Sequence, residues 1–178
     1  MGLPEQFVIP FSGLALGNHS FDFQIGKSFF EAFEDSGIRD GNISVLVEME
    51  KQERMLVFSV EVKGTVNVPC DRCLDYFDLA FEGREVLYVK FGDAYREESA
   101  DVIIIPRTEH RYDLKQILYE VIQLSLPYQR IHPGGDSGES CNPDILAKLE
   151  SLRPRPAADP RWDALKGSFK DNNETEIN

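Results

Sequence analysis

Between Asn42 and Pro69 the chain alternates apolar and polar residues over two long runs. In "NISVLVEMEKQ", Ile43, Val45, Val47 and Met49 fall on one face, and in "MLVFSVEVKGTVNVP", Leu56, Phe58, Val60 and Val62 do the same. Successive side chains of a strand point to opposite faces, so this period of two on either side of the polar turn Lys51-Gln52-Glu53-Arg54 predicts an antiparallel hairpin. Gly64 interrupts the second strand and predicts a bulge or a sharp bend. "TVNVP" then carries the strand straight into Cys70. Alternation resumes in "YFDLAFEGREVLYVKF", through Phe77, Leu79 and Phe81. Farther along that run two registers fit, one burying Val86 and Tyr88, the other Leu87, Val89 and Phe91.

Upstream, "FVIPF" and "FDFQI" read as short strands separated at Gly17-Asn18, while "SFFEAFEDSG" fits either a helical turn closed by Gly37 or a strand-to-loop transition. "GDAYREESAD" reads as a charged loop and "VIIIP" as a short strand stopped by Pro106. "YDLKQILYEVIQLSLP" is the strongest helix signal: Leu114, Ile117, Leu118, Val121, Ile122 and Ser125 recur at helical spacing, behind Asp113 as N-cap and ahead of Pro127. "PDILAKLESL" predicts a short amphipathic helix with Pro143 in its first turn. The elements imply an α+β fold: a strongly bent, barrel-like antiparallel sheet, one long helix packed on it, and a short helical C-terminal extension. Residues 1–150 are expected to form a single α+β domain. Residues 151–167 read as a Pro-broken linker and docking segment carrying Trp162, and 168–178 as a disordered tail.

Charge narrows the partners. The 178 residues include 31 acidic and 19 basic side chains, a formal net charge of −12. Binding to naked nucleic acid relies on Lys and Arg neutralising phosphates, so a globally acidic chain is poorly suited to it and is steered instead toward basic partners. The N-terminal stretch lacks a basic region followed by a long apolar run, and no run of about 18 apolar residues occurs, so neither an export signal nor a membrane span is expected. Three cysteines without an export signal point to a reducing cytoplasm and against a structural disulfide.

No Walker-type phosphate loop, G-x-S-x-G elbow, dinucleotide glycine fingerprint or H-E-x-x-H is present. What stands out is the set of Cys70, Cys73, His132 and Cys141. A C-x-x-C pair lets two thiolates of one turn grip a single ion, and the Gly- and Ser-rich loop after the long helix could deliver His132 and Cys141 to complete a closed structural zinc site. Two other readings stand beside this one. A redox pair usually opens a helix, whereas strands flank this one. Reduced, partly buried cysteines behave simply as small hydrophobes. Arg72, between the cysteines, could bind phosphate or carboxylate in forked geometry, or pair with Asp71, Asp75 or Asp78. A second basic group, Arg107, His110, Arg111 and Lys115, surrounds the start of the long helix and reads as a local phosphate-contacting patch or a solvated helix start. Trp162, the one tryptophan, could anchor a partner or dock on its own domain.

The C-x-R-C-L turn (Cys70, Arg72, Cys73, Leu74), the helix "YEVIQLSLPYQRIH" followed by Cys141, the adjoining "CNPDILAKL" and the terminal "DPRWDALK" occur in one order over roughly residues 40–167. In this ordered set the chain resembles the YceD family, the large ribosomal RNA subunit accumulation proteins. The Gly-rich segment between His132 and Cys141 is longer than the common pattern, which leaves their convergence on one ion open. The resemblance implies a non-enzymatic factor supporting 23S ribosomal RNA accumulation and large-subunit biogenesis. Its implied partners are pre-ribosomal components, either ribosomal RNA or a basic ribosomal protein, contacted through residues such as Arg72 and Trp162. An RNA-processing enzyme or nuclease, and a protein-binding adaptor with no RNA role, are the alternatives.

Overall fold

The computed structural model describes residues 6–34, 36–133 and 140–153. Trp162, most of the expected linker and the expected tail lie outside these residues. The chain divides into two compact units, residues 1–141 and 142–178. The first contains strands β1 (Val8–Ile9), β2 (Gly17–Ile25), β3 (Asp40–Lys51), β4 (Met55–Pro69), β5 (Tyr76–Gly92), β6 (Arg96–Ser99), β7 (Val102–Pro106) and β8 (Tyr112–Asp113), with helices α1 (Lys27–Phe30) and α2 (Lys115–Ser125). The second contains helix α3 (Pro143–Leu152), whose first turn is capped by the Asn142 side chain accepting from the Asp144 N–H.

The expected hairpin forms as β3 and β4, in a register that sets Val45 opposite Val62, Val47 opposite Val60 and Met49 opposite Phe58. All six are buried, so the polar alternates face solvent and a one-residue slip would invert the whole set. Gly64 opposes Ile43 with pairing unbroken on both sides, so the position is a close approach and not a bulge. A methyl there would strike the Asn42 carbonyl oxygen and lie 2.7 Å from Ile43 Cα. In β5 the second register holds: Leu87 and Val89 are buried and Tyr88 is exposed. "SFFEAFEDSG" begins as a helical turn, α1, which buries Phe29 and Phe30.

On α2 the buried residues are Leu118, Val121 and Ile122, preceded by the fully buried Leu114. The N-cap is Leu114, one residue later than expected, and its side chain caps nothing; Asp113 lies just before it, its carboxylate accepting from the Lys115 N–H at 2.9 Å. The helix stops at Leu126, held extended by the following Pro127. It packs across β5 and β4. At that crossing Gly83 leaves the room that the Ser125 side chain occupies.

Two expectations are corrected. The six-stranded sheet runs β2-β3-β4-β5-β7-β6 and is open, with β2 and β6 at its edges; it does not close into a barrel. Nor is it wholly antiparallel, because β7 pairs parallel to β5. Both differences trace to "GDAYREESAD", read as a loop because all four residues of its strand β6 are exposed and carry no apolar alternation. By forming β6 on the outer edge, the chain turns back and inserts β7 between β6 and β5. A closed barrel would enclose its inward face; here α1 and α2 bury that face instead, and closure is not needed. Among the described residues no helix is long and apolar enough to cross a membrane.

Candidate metal centre

Strands β4 and β5 are joined by the loop Cys70–Asp75, with Pro69 and Tyr76 as the last strand pair. The Cys70 N–H donates to the Asp75 carbonyl and the Leu74 N–H to the Cys70 carbonyl, each at 2.9 Å. This tight closure places Leu74 at φ 64°, making it the one non-glycine residue with positive φ among those described. That conformation costs an L-residue about 1–2 kcal/mol and persists only where the surroundings over-determine it. The Leu74 side chain is nonetheless 74% exposed, while Cys70 and Cys73 on either side of the turn are buried.

The segment after α2 is tied to this loop. The Asp71 N–H donates to the Arg130 carbonyl and the Arg130 N–H donates back to Asp71 Oδ2, both at 2.7 Å. Two residues on, the His132 ring lies over Phe77, centroids 4.6 Å apart. Its Nδ1 is 3.6 Å from Cys73 Sγ and 3.5 Å from Cys141 Sγ, and Cys141 Sγ is 3.7 Å from Cys70 Sγ. All four donor atoms lie within 4.8 Å of one another. Around a tetrahedral ion with metal–sulfur bonds of about 2.3 Å and metal–nitrogen bonds of about 2.0 Å, neighbouring donors stand about 3.8 Å (S to S) and about 3.5 Å (S to N) apart. The three separations of 3.5 to 3.7 Å fit this spacing, and the four residues could hold a metal ion.

Electrostatics agree with the geometry. Burial raises the Cys70 thiol pKa, but the N–H groups of Cys73, Arg72 and His132, with the His132 ring, more than offset it and bring the value down to about 6. One of those donors is visible as the Arg72 N–H, 3.4 Å from Cys70 Sγ. Cys141 moves the other way, up to about 11, through burial and through the hydrogen bonds and charge of Cys70 and Cys73. The cluster thus favours a thiolate at Cys70 and keeps a proton on Cys141. A divalent cation bound by such a set displaces the remaining protons.

All four predicted ligands are brought together, although 59 residues separate Cys73 from His132. The redox alternative lacks its expected setting, since the C-x-x-C occupies a hairpin loop and not a helix start; the thiols are unbonded. Arg72 is exposed and forms no ion pair among the described residues. Two of the carboxylates weighed as its partners are engaged elsewhere, Asp71 by Arg130 and Asp78 by Asn67. Close by, the Arg39 guanidinium lies over the Tyr76 ring at 5.1 Å. Of the basic group at the start of α2, Lys115 lies over Phe33, and Arg111 shares a hollow with Glu109 and Asp113. The left-handed turn at Leu74, the Asp71–Arg130 clasp and the Phe77 contact escaped sequence reasoning. A C-x-x-C placed between two strands, with six residues to reverse the chain, was the available signal for the first.

Comparison with known proteins adds one match. The family model described as "Large ribosomal RNA subunit accumulation protein YceD" matches residues 58–167, a span that includes all four clustered residues. No curated protein and no solved structure matches the chain.

Proposed function

The chain belongs to the YceD family, and on that premise we propose that it is a non-catalytic cytoplasmic factor supporting 23S ribosomal RNA accumulation and large-subunit biogenesis. In this reading Cys70, Cys73, His132 and Cys141 hold one zinc ion, and the ion fixes the loop that presents Arg72 and Leu74 to a pre-ribosomal partner. The observation that carries the reading is the cluster itself: three sulfurs and one imidazole nitrogen within 4.8 Å of one another, two of the sulfurs in the loop that carries the exposed Arg72. Four protein donors close a zinc coordination sphere and leave no position for water or substrate, which is the pattern of a structural site. Soft thiolates also select zinc over the hard cations that carboxylate-rich nuclease sites use, so the donor chemistry favours a scaffold over a nuclease.

The outer surface of the loop suits a contact with RNA or with an RNA–protein particle. Arg72 has no ion pair among the described residues, Tyr76 is 49% exposed and Tyr128, after α2, is 98% exposed. Arginine forks bind phosphate and aromatic faces stack on bases, both without sequence readout. Trp162, proposed as a further contact, lies outside the described residues. The test is complementation of a deletion strain, reading 23S precursor, mature 23S and large subunits. Arg72→Glu is expected to leave fold and metal content unchanged and to lower mature 23S several-fold. Unchanged 23S levels and large subunits in the deletion strain itself would overturn the function.

A further inference from the structure

A second surface on the first unit is rimmed by acidic side chains. Between α2 and the β5–β7–β6 side of the sheet runs a groove of about 540 Å³. Its floor is apolar, made by residues such as Val60, Leu87, Ile103, Ile117 and Val121, and the exposed Leu124 stands at its rim. Five carboxylates surround that floor: Glu85, Glu97, Glu98, Asp101 and Glu120. No Lys, Arg or His is among the lining residues, and among the described residues the one ion pair to the five is Lys90 on Glu98 at 2.8 Å. Two tyrosines register the resulting field. Tyr95 and Tyr112 both have hydroxyl pKa values raised, by burial first and then by neighbouring groups that include Glu97 and Glu120. The groove includes Glu85, eight residues along β5 from Phe77 and so up to about 27 Å from that residue by the rise of a strand.

We propose that this groove binds a lysine- or arginine-rich polypeptide segment that carries apolar side chains between its charges. Charge complementarity names the sign of the occupant: four of the carboxylates have no cationic partner among the described residues, and a basic segment supplies one. The floor names its kind. Branched apolar walls are filled by side chains such as Leu or Ile, which a bare polyamine lacks and a phosphate-bearing nucleic acid replaces with repelled charge. The adjoining strand β6 is the last of the sheet, and Glu97 to Asp101 line the groove consecutively, so an extended chain can lie alongside them. The inference rests on the groove alone and stands apart from the metal centre.

Fluorescence anisotropy with a labelled (Lys-Leu)5 peptide tests it, with (Lys-Ser)5 and (Glu-Leu)5 as comparison peptides. Binding of (Lys-Leu)5 is expected to be at least tenfold tighter than of either, and to weaken as salt rises. The double variant Glu97→Lys/Glu120→Lys should lose at least tenfold in affinity with its melting temperature intact. Glu34→Lys/Glu48→Lys, the same change in charge outside the groove, should lose less than threefold. Equal losses in the two double variants, (Lys-Ser)5 binding as well as (Lys-Leu)5, or displacement of the peptide by spermidine at matched charge would each overturn the proposal. So would a dimer that the groove variants dissociate, since the occupant would then be a second copy. Metal content and 23S levels are read separately, so failure here leaves the reading of the metal centre untouched.

Discussion

Asp71 and Arg130 are hydrogen-bonded to each other twice, N–H to carbonyl and N–H to carboxylate, each at 2.7 Å. The pair joins the loop holding two cysteines to the segment holding the histidine, so it positions His132 without touching the ligand atoms. Asp71→Ala removes the bond to a charged acceptor and lets the post-helix segment drift. Supporting contacts of this kind around a metal are typically worth 10–100-fold in affinity. The variant is expected to bind zinc at least tenfold more weakly in a competition titration against a chromogenic chelator. Wild-type affinity in the variant would remove the clasp from the account of the site.

Zinc itself should be measurable as one equivalent per chain after purification without chelator. Cys70→Ser and His132→Ala should each fall well below one equivalent. Because the cluster cross-links residues far apart in sequence, metal bound only to the folded state stabilises by about 4 kcal/mol when free zinc is a thousandfold above Kd. For a chain of this size that corresponds to a rise in Tm of about 8–16 °C over the chelated protein. A metal-free protein whose Tm is insensitive to both zinc and chelator would return the cysteines to the role of buried hydrophobes.

Leu74 separates stability from function at the same loop. Replacing it by glycine relieves about 1–2 kcal/mol of left-handed strain and gives back about 0.4–1 kcal/mol through a more flexible unfolded chain. Leu74→Gly is therefore expected to be slightly more stable than wild type, by about 0.5 kcal/mol in denaturant titration, and to retain zinc. If the exposed leucine contacts a partner, the same variant complements poorly. A variant that is clearly less stable would mean that the side chain packs inside the protein and is not offered outward.

What was legible in the chain was what repeats. The β3–β4 hairpin, its buried face and α2 follow from strict periods of two and of 3.6; the structure buries every expected residue of the hairpin face and, on α2, Leu114, Leu118, Val121 and Ile122, leaving Ile117 and Ser125 half-buried. Strand β6 was illegible for the converse reason: Arg96, Glu97, Glu98 and Ser99 are all exposed, and an edge strand with no buried side chain leaves no alternation to read. Missing it hid the parallel β5–β7 pair and suggested a closed barrel. At the site, residue types alone nominated Cys70, Cys73, His132 and Cys141. Their convergence depends on one bond between the main chains of Asp71 and Arg130 and one from the Arg130 N–H to the Asp71 carboxylate; main-chain groups are the same at every position, and nothing in the spacing of the chain pairs this aspartate with a residue 59 positions on. The acidic groove was invisible for a similar reason, its carboxylates being drawn from β5, the β6 region and α2.

The crossing of α2 over β5 offers a test of the fold. At Gly83 an added methyl would overlap Ser125 Oγ and lie 2.5 Å from Ser125 Cβ. Ser125 cannot simply rotate away, because its hydroxyl donates to the Val121 carbonyl at 2.6 Å and the Cβ contact does not depend on the rotamer. Gly83→Ala should push the last turn of α2 off the sheet, and overpacking of this kind costs about 1–3 kcal/mol. Ser125→Gly removes both clashing atoms at a helix end, where its own cost is about 1 kcal/mol. The double variant is then expected to be more stable than the sum of the two single changes by about 1 kcal/mol or more, measured by denaturant titration of all four proteins. Strict additivity would mean that α2 does not cross β5 at Gly83, and the position assigned to the helix would be wrong.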